Sequence, residues 1–302
     1  MQDILDKIGV NINVSFHLIY FTLIWVRIVM MTSVIPFLFG KPVPKYILVA
    51  ASLALAVFAY PALVPDKPID ISEDRLALVV LYLKEIFYGL GIGMSVSVIF
   101  HAFSSVGQMI DNQRGMSIAR ILIPQLGEQG SITGALLFQM GIVLYLSMGG
   151  HLLFLQSFFH SFRALPVLEF PTAGPGMFAM ADMFINITGE VIYIALQMST
   201  PVIIAIFLTD IILGIANRMS PQINVWMLGF TLKGYIGILM LFVSITMVSE
   251  QLEYYALKAN RNASATIELM KGIVPEDAPK APGEEAGMPV EDLLGPLPVQ
   301  TR

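Results

Sequence analysis

Long apolar blocks, separated by short clusters of glycine, proline and charged residues, make up most of the chain. Each block is long enough for a helix that crosses roughly 30 Å of hydrocarbon. Because lipid offers the backbone no hydrogen-bond partners, segments of this length are expected to be helices. The pattern predicts an all-α, polytopic membrane protein with five or six blocks, which run from about Val14 to Phe39, Tyr46 to Val64, Leu76 to Val106, Ile132 to Leu168, Phe178 to Met219 and Val225 to Val248.

Several blocks are longer than one crossing requires. The third, which ends near Val106, leads directly into a polar stretch, and the fourth is predicted to form two helices broken near Gly149 and Gly150. The fifth contains Pro201, which interrupts helical hydrogen bonding, so a bent helix or a hairpin is expected there. The last block should continue as a more polar helix to Lys258.

Composition supports the membrane assignment and excludes several kinds of chemistry. The 302 residues are 56% hydrophobic and 13% charged, whereas soluble domains carry about 25% charged residues. With no cysteine and four scattered histidines, no thiolate chemistry, metal site or cofactor is expected. No phosphate-binding loop is present, and the net charge of −5 gives no indication of nucleic-acid binding. The chain is predicted not to be an enzyme.

The two ends of the chain differ in character. The N-terminal segment starts with acidic residues and leads into a hydrophobic run too long for a cleavable signal, so it is expected to be retained. The sequence predicts a helical membrane domain over 1–258 and a hydrophilic, disordered tail over 259–302 that is rich in Pro, Glu and Asp. Lys258, Arg261 and Lys271 follow the last helix, and this excess of basic residues places the tail in the cytoplasm.

Ionisable residues occur inside the apolar blocks in unusual number. A charge at the bilayer centre costs about 2.5–3.5 kcal/mol on insertion scales, so each of these residues requires a partner or water. Structural ion pairs between helices are one interpretation; a secondary transporter that uses Glu190, Asp210 and Arg218 as a charge relay is the alternative. A third is that parts of these helices never lie in lipid. The residues concerned are Arg27, Lys84, Glu85, Asp182, Glu190, Asp210, Arg218 and Lys233.

Two sets of charged, polar and glycine residues each lie along one face of a predicted helix. Spacings of three, four and seven residues place side chains next to one another on a helix, and glycines four residues apart allow close backbone packing. Both faces are therefore expected to pack on protein rather than on lipid. They consist of Asp210, Gly214, Asn217 and Arg218 in one block and of Glu85, Gly89, Gly93 and Ser97 in another.

A polar stretch from Gly107 to Ser131 interrupts the apolar pattern in the middle of the chain. Its glycines and Pro124 predict an irregular backbone that does not face lipid. Asp111 and Arg114 are spaced to form an i, i+3 pair. From the residues alone, an ordinary cytoplasmic or periplasmic loop remains an open alternative.

A run of motifs near the C-terminus connects the chain with a known family. A proline lies in the middle of a long apolar segment, followed by an LG-x-x-N-R-x-x-P-Q-x-N run and a G-F-x-L-K type segment. These features resemble the export-apparatus proteins of bacterial type III secretion, called FliR in flagella and SctT in injectisomes, over nearly all of Asn13 to Lys258. The residues that carry the resemblance are Pro201, Leu213, Gly214, Asn217, Arg218, Pro221, Gln222, Asn224 and Gly229 to Lys233.

The resemblance implies a role in protein export across the bacterial inner membrane. It implies one copy of this chain in a channel-forming gate with FliP/SctR-like and FliQ/SctS-like subunits, next to a FlhB/SctU-like switch protein, membrane lipids and unfolded secreted proteins. "IDNQRG" at Ile110 to Gly115 resembles the injectisome branch, whereas the G-F-x-L-K type segment at Gly229 to Lys233 is typical of flagellar members. The injectisome is favoured, and the flagellum remains the alternative. Structural or assembly roles are then expected for Glu85, Gly89, Gly93, Glu190, Pro201, Asp210, Asn217, Arg218, Pro221, Gln222, Asn224 and Lys233.

The resemblance also gives the polar stretch a role. In this family a loop plugs the closed channel from inside, and by order along the chain that loop corresponds to about residues 107–130 here. The residues expected to form the plug are Gly107, Asp111, Asn112, Gln113, Arg114, Gly115, Arg120 and Pro124.

Overall fold

Helices account for nearly all of the structure. The computed structural model describes residues 14–38, 43–65, 75–116, 131–170, 176–222 and 224–273, and these ranges contain no strand. The all-α prediction is confirmed. The helices are α1 (Val14–Val34), α2 (Lys45–Leu63), α3 (Arg75–Gln113), α4 (Ile132–Ser147), α5 (Gly150–Ala164), α6 (Gly176–Met219), α7 (Val225–Val243) and α8 (Ile245–Met270).

The apolar blocks of the sequence correspond to helices that are long enough for a membrane. Five of the described helices (α1, α2, α3, α6 and α7) have the length and apolarity of a membrane span. The pair α4 and α5 would provide a sixth span if both belong to one bent crossing. The chain is thus a multi-pass membrane protein by length and composition.

The predicted break between α4 and α5 is confirmed. The two helices meet at an angle of 75°, and Gly149 between them has φ +74°. That left-handed conformation is open to glycine at little cost, and it terminates a helix by turning the chain away from its axis.

The helix α6 passes through Pro201 without ending, so the hairpin alternative is wrong. It contains 44 residues, which corresponds to about 66 Å at 1.5 Å per residue. Proline leaves one carbonyl of the preceding turn without its N–H partner, and membrane helices tolerate this when nearby hydroxyl groups adjust. Here the hydroxyls of Ser199 and Thr200 donate to the carbonyls of Ala195 (2.6 Å) and Leu196 (2.5 Å) in that same turn.

The helix α3 extends into the polar stretch, and the predicted irregular backbone is wrong for Gly107 to Gln113. All of these residues are helical. Gly107 serves a close helix contact instead, because a Cβ there would collide with the backbone of Thr133 and Gly134 at the start of α4. The first positive φ in the stretch is at Gly115 (+86°). Arg120 and Pro124 lie outside the described residues.

The last helix extends past the predicted domain boundary. A break at Ser244 separates α7 from α8, and α8 continues to Met270, so the boundary at Lys258 falls inside a helix. Every residue from Tyr255 to Asn260 is buried, which means that α8 is enclosed on all sides there. Its polar composition resembles that of a solvated tail, but Lys258 pairs with Glu190 of α6 and Asn260 accepts a hydrogen bond from Tyr145 of α4. The tail beyond residue 273 lies outside the described residues.

Two compact units make up the chain. The first comprises Met1–Ser97, Leu152–Met183 and Asn262–Ala278, and the second comprises Val98–His151, Phe184–Arg261 and Pro279–Arg302. The core of the first includes Leu23, Ile24 and Ile28 of α1 with Ile92, Phe154 and Phe158. The core of the second includes the edge-to-face contacts of Phe100 with Phe103 and Tyr145.

Close packing of α1 on the predicted glycine face of α3 is confirmed. A Cβ on Gly89 would lie 2.5 Å from the carbonyl oxygen of Arg27, and one on Gly93 would lie 3.0 Å from that of Met31. Both oxygens belong to backbone and cannot move aside cheaply. The two glycines therefore set the separation between α1 and α3.

Replacing Gly89 with alanine is expected to destabilise the protein by about 1–3 kcal/mol, because the added methyl forces the two helix backbones apart. The matched control is Gly234→Ala in α7, where a Cβ meets nothing within 4 Å. That change should stabilise the helix by up to about 1 kcal/mol through alanine's higher helix propensity. Thermal unfolding in detergent measures both variants, and equal melting temperatures would contradict the packing argument.

Candidate functional site

Part of the motif run, at the end of α6 and the start of α7, lies around one cavity in the second unit together with Arg114 and Gly115 of the polar stretch. Its volume is about 560 Å³. The C-terminal end of α6, the first half of α7 and the residues after α3 contribute to its walls. The lining residues are Arg114, Gly115, Asp210, Leu213, Gly214, Asn217, Asn224, Val225, Trp226, Gly229, Phe230 and Lys233.

An ion pair and a helix cap fix the α6–α7 side of the cavity. The Lys233 ammonium lies 2.5 Å from the Asp210 carboxylate, and both side chains are partly exposed. Asn224 caps α7 by accepting from the amide of Met227 at 3.2 Å, which satisfies one of the free N–H groups at a helix start. The predicted residues Asp210, Asn217, Asn224 and Lys233 are therefore brought together.

Three predicted assembly residues of the run between Asp210 and Lys233 do not line this cavity. Arg218, on the predicted face of α6, is exposed, as are Pro221 and Gln222 in the turn that follows. Asp210, Gly214 and Asn217 line the same side of the cavity, but they are exposed, as is Arg218, so the prediction that this face packs on protein is not confirmed by the described residues.

The beginning of the polar stretch is held against α7 by two glycine contacts. Gly115 packs against the Phe230 ring, and a Cβ there would lie 2.8 Å from Cε1. Gly237 accommodates the side chain of Arg114, whose Cδ would lie 2.6 Å from an added Cβ. Both contacts require the absence of a side chain, so they position the segment sterically.

The Asp111 carboxylate connects the end of α3 to the start of α4. The side chain is 1% exposed. One oxygen accepts from the hydroxyl of Ser131 (2.6 Å) and the amide of Thr133 (3.1 Å), and the other accepts from the hydroxyl of Thr133 (2.6 Å) and from Arg114 (3.2 Å). Hydrogen bonds to an ionised carboxylate are roughly twice as strong as neutral ones. This Asp111 cluster fixes where the chain leaves α3 and where it enters α4.

The i, i+3 pair of Asp111 and Arg114 was predicted correctly, whereas the larger cluster was not. Ser131 also caps α4 by accepting from the amide of Gly134 at 2.7 Å. A serine directly before an apolar block is a helix-start signal that could have identified it. Asn112 and Gln113, predicted in the same stretch, are exposed on the last turn of α3.

Of the remaining ionisable residues singled out in the apolar blocks, all but Asp182 and Arg218 form ion pairs with other described residues. Arg27 and Lys84 both pair with Glu85, and Glu190 pairs with Lys258 at 2.7 Å. Asp182 and Arg218 are exposed. The interpretation as structural pairs is favoured, because a buried charge requires a partner.

The charge-relay alternative does not fit this geometry. Glu190 and Asp210 lie on the same helix, twenty residues apart, which separates them by about 30 Å. Each forms its own ion pair, with Lys258 and Lys233 respectively. A relay would need intermediate groups within hydrogen-bond distance, and the described ion pairs do not connect these two sites.

A second polar contact accompanies Glu190 between α6 and α8. The phenol of Tyr255 donates to the side-chain oxygen of Gln197 at 2.9 Å. Burial raises the pKa of the Tyr255 phenol, and the charge of Glu190 raises it further. The phenol therefore remains a neutral donor at physiological pH.

These features define a multi-pass, all-α membrane protein whose buried charges pair with one another and in which part of the motif run lines one cavity. Residues 18–258 match the model of bacterial export proteins, family 1. The chain belongs to this family, which is the FliR/SctT family of the resemblance.

Relatives from both branches of the family are similar to the chain. It is 32% identical to the flagellar biosynthetic protein FliR of Bacillus subtilis over 258 residues, which cover 84% of this chain and 94% of that protein. It is 36% identical to the Yop proteins translocation protein T of Yersinia pestis over 190 residues, which cover 63% and 71%. The surface presentation of antigens protein SpaR of Shigella flexneri is 28% identical over 58% of this chain and 66% of its own length. A role in bacterial protein export follows from this membership.

Proposed function

We propose that the chain is a channel-forming subunit of a type III export gate and that it passes unfolded proteins across the bacterial inner membrane. One copy assembles with FliP/SctR-like and FliQ/SctS-like subunits, next to a FlhB/SctU-like switch protein. The tail after α8 lies in the cytoplasm, and export energy comes from other components. The injectisome is the favoured system, which the gene neighbourhood would test: needle and translocon genes would support it, and hook and filament genes would contradict it.

The observation that carries the proposal is the cavity formed by the family's motif residues. The motif run of α6 and α7 contacts Arg114 and Gly115, which begin the stretch expected to plug the channel. An ordinary loop in water or lipid would not need its first residues to be held by two close contacts at glycines and by a buried carboxylate. The motif residues are therefore suited to position a plug.

Exposed apolar surface supports assembly with neighbouring subunits or lipid. Along α7 the aromatic side chains of Trp226, Tyr235 and Phe242 are 64%, 73% and 75% exposed. Because Trp226 and Tyr235 are nine residues apart, they lie on opposite sides of α7. Large apolar side chains exposed on both sides indicate contact with protein or lipid. The chain by itself leaves this surface uncovered, as a subunit of a larger membrane assembly would.

We propose further that residues 107–130 close the channel and that their beginning, Gly107 to Gly115, is held in place by the Asp111 cluster and by α7. Replacing Gly115 with valine should displace this beginning, because valine does not tolerate φ +86° and its Cβ would meet Phe230. We expect the assembled gate to leak ions, with membrane permeability raised several-fold. Ion flux in cells that express the complete gate measures this.

The control for this experiment is Gly234→Ala on the same helix α7, where an added Cβ meets nothing within 4 Å; its permeability should not change. Assembly of both variants is verified by co-purification with the FliP/SctR-like subunit. If the Gly115→Val gate assembles and membrane permeability to ions does not rise, the plug proposal is wrong. If the chain is stable and transport-active without partner subunits, the export-gate proposal is wrong.

A further inference from the structure

The ammonium group of Lys84 lies in a shell of oxygen atoms in the first unit. It donates to the backbone carbonyls of Pro166 (2.9 Å), Val167 (2.7 Å) and Glu169 (2.9 Å). The carboxylate of Glu85 is 3.0 Å away on its other side. The Lys84 side chain is 1% exposed, so water contributes little to this shell. A buried charge here is neutralised by protein oxygens.

This shell has the character of a cation site rather than of an ordinary lysine ion pair. An ammonium has three N–H donors, but four oxygens lie within 3.0 Å of Nζ. Three of them are carbonyls of one short turn after α5, and converging carbonyls are what replaces the hydration shell of a potassium ion in proteins. The C-terminal end of α5 adds the negative end of its helix dipole.

A neighbouring cation cannot take over this position. Arg27 donates to the carbonyls of Ser161 (3.2 Å) and Leu165 (2.9 Å) and also pairs with Glu85. Its planar guanidinium is fixed by those contacts and by stacking over the Phe162 ring at 4.4 Å. The backbone carbonyls of residues 166, 167 and 169 therefore rely on Lys84 as their hydrogen-bond donor.

We propose that the turn of residues 166–169, together with Glu85, is a binding site for a monovalent cation of potassium size and that the ammonium of Lys84 is its resident, tethered cation. The turn follows α5, and its Val167 carbonyl, which is buried, requires a hydrogen-bond partner or a cation. The tethered cation holds the turn closed whatever ions surround the protein. Without the Lys84 amine, a free ion of the same size occupies the site.

The experiment compares the melting temperature of the full-length Lys84→Ala variant in four chloride salts at equal ionic strength: potassium, ammonium, sodium and choline. In choline, which is too large for the site, the melting temperature should fall by roughly 10 °C relative to the unmodified protein. Potassium and ammonium should restore at least half of the loss, and the smaller sodium ion less. The unmodified protein should melt at one temperature in all four salts.

The matched control is Lys233→Ala, since Lys233 contacts a single, partly exposed carboxylate and has no carbonyl shell. It should show no preference among the four cations. A Lys84→Ala protein that melts at the same temperature in potassium and in choline would overturn the proposal.

A second measurement applies if Lys84→Ala cannot be purified. In the unmodified protein, acetic anhydride should modify Lys233 at least tenfold faster than Lys84, because the buried Lys84 is held as an ammonium, which has no free electron pair, and its side chain is only 1% exposed to the reagent. Mass spectrometry gives both rates. Equal rates would show that Lys84 is not enclosed, and the site would be rejected.

Discussion

Replacing Glu85 with glutamine is expected to reduce the melting temperature of the protein by roughly 10 °C or to prevent its recovery in folded form. Glu85 is fully buried and binds Arg27 through both oxygens, with the second contact at 3.0 Å. It is also the carboxylate next to Lys84. Without it two cations share a buried space with carbonyl dipoles alone, and removal of one partner from a buried pair costs about 3–5 kcal/mol.

The size of this effect depends on burial rather than on charge. The control is therefore Asp182→Asn, which removes an exposed carboxylate from α6 and should change stability by less than about 0.5 kcal/mol. Thermal unfolding in detergent and the yield of folded protein measure both variants. If the Glu85→Gln and Asp182→Asn variants have the same melting temperature, the cluster of Arg27, Lys84 and Glu85 does not stabilise the first unit.

The sequence predicts those parts of the fold that depend on residues close together in the chain. Apolar runs predict helices because lipid leaves the backbone no other partner, and the break at Gly149 follows from a local glycine pair. The pair of Asp111 and Arg114 and the face of Gly89 and Gly93 follow from helical spacing. Each of these predictions uses a separation of at most four residues.

The parts that could not be predicted depend on partners far along the chain. Lys258 looked like the end of a helix next to a polar tail, but its partner Glu190 is 68 residues away. Gly107 is compatible with either a flexible backbone or a close helix contact, and only the position of Gly134 decides between them. The shell around Lys84 consists largely of backbone carbonyls, which leave no trace in residue type.

Replacing Asp111 with asparagine is expected to destabilise the second unit by about 2–4 kcal/mol and to loosen the start of α4. The carboxylate accepts four hydrogen bonds, from Ser131, Thr133 and Arg114. The amide that replaces it accepts through one oxygen only, and its NH₂ group faces donors. Each buried donor left without an acceptor costs about 1–3 kcal/mol.

The most direct measurement is hydrogen exchange at the backbone amide of Thr133, which donates to Asp111 at 3.1 Å. The protection factor of this amide against exchange should fall at least tenfold in the Asp111→Asn variant. The exposed neighbour Gln113→Ala is the control, because it lies on the same turn of α3 but outside the cluster. Unchanged protection of Thr133 in Asp111→Asn would mean that the apolar packing of α3 on α4, such as the contacts of Gly107 with Gly134 and of Phe100 with Tyr145, is sufficient to hold the two helices together. The cluster would then have no part in positioning the proposed plug, and contacts with α7 would have to hold the proposed plug instead.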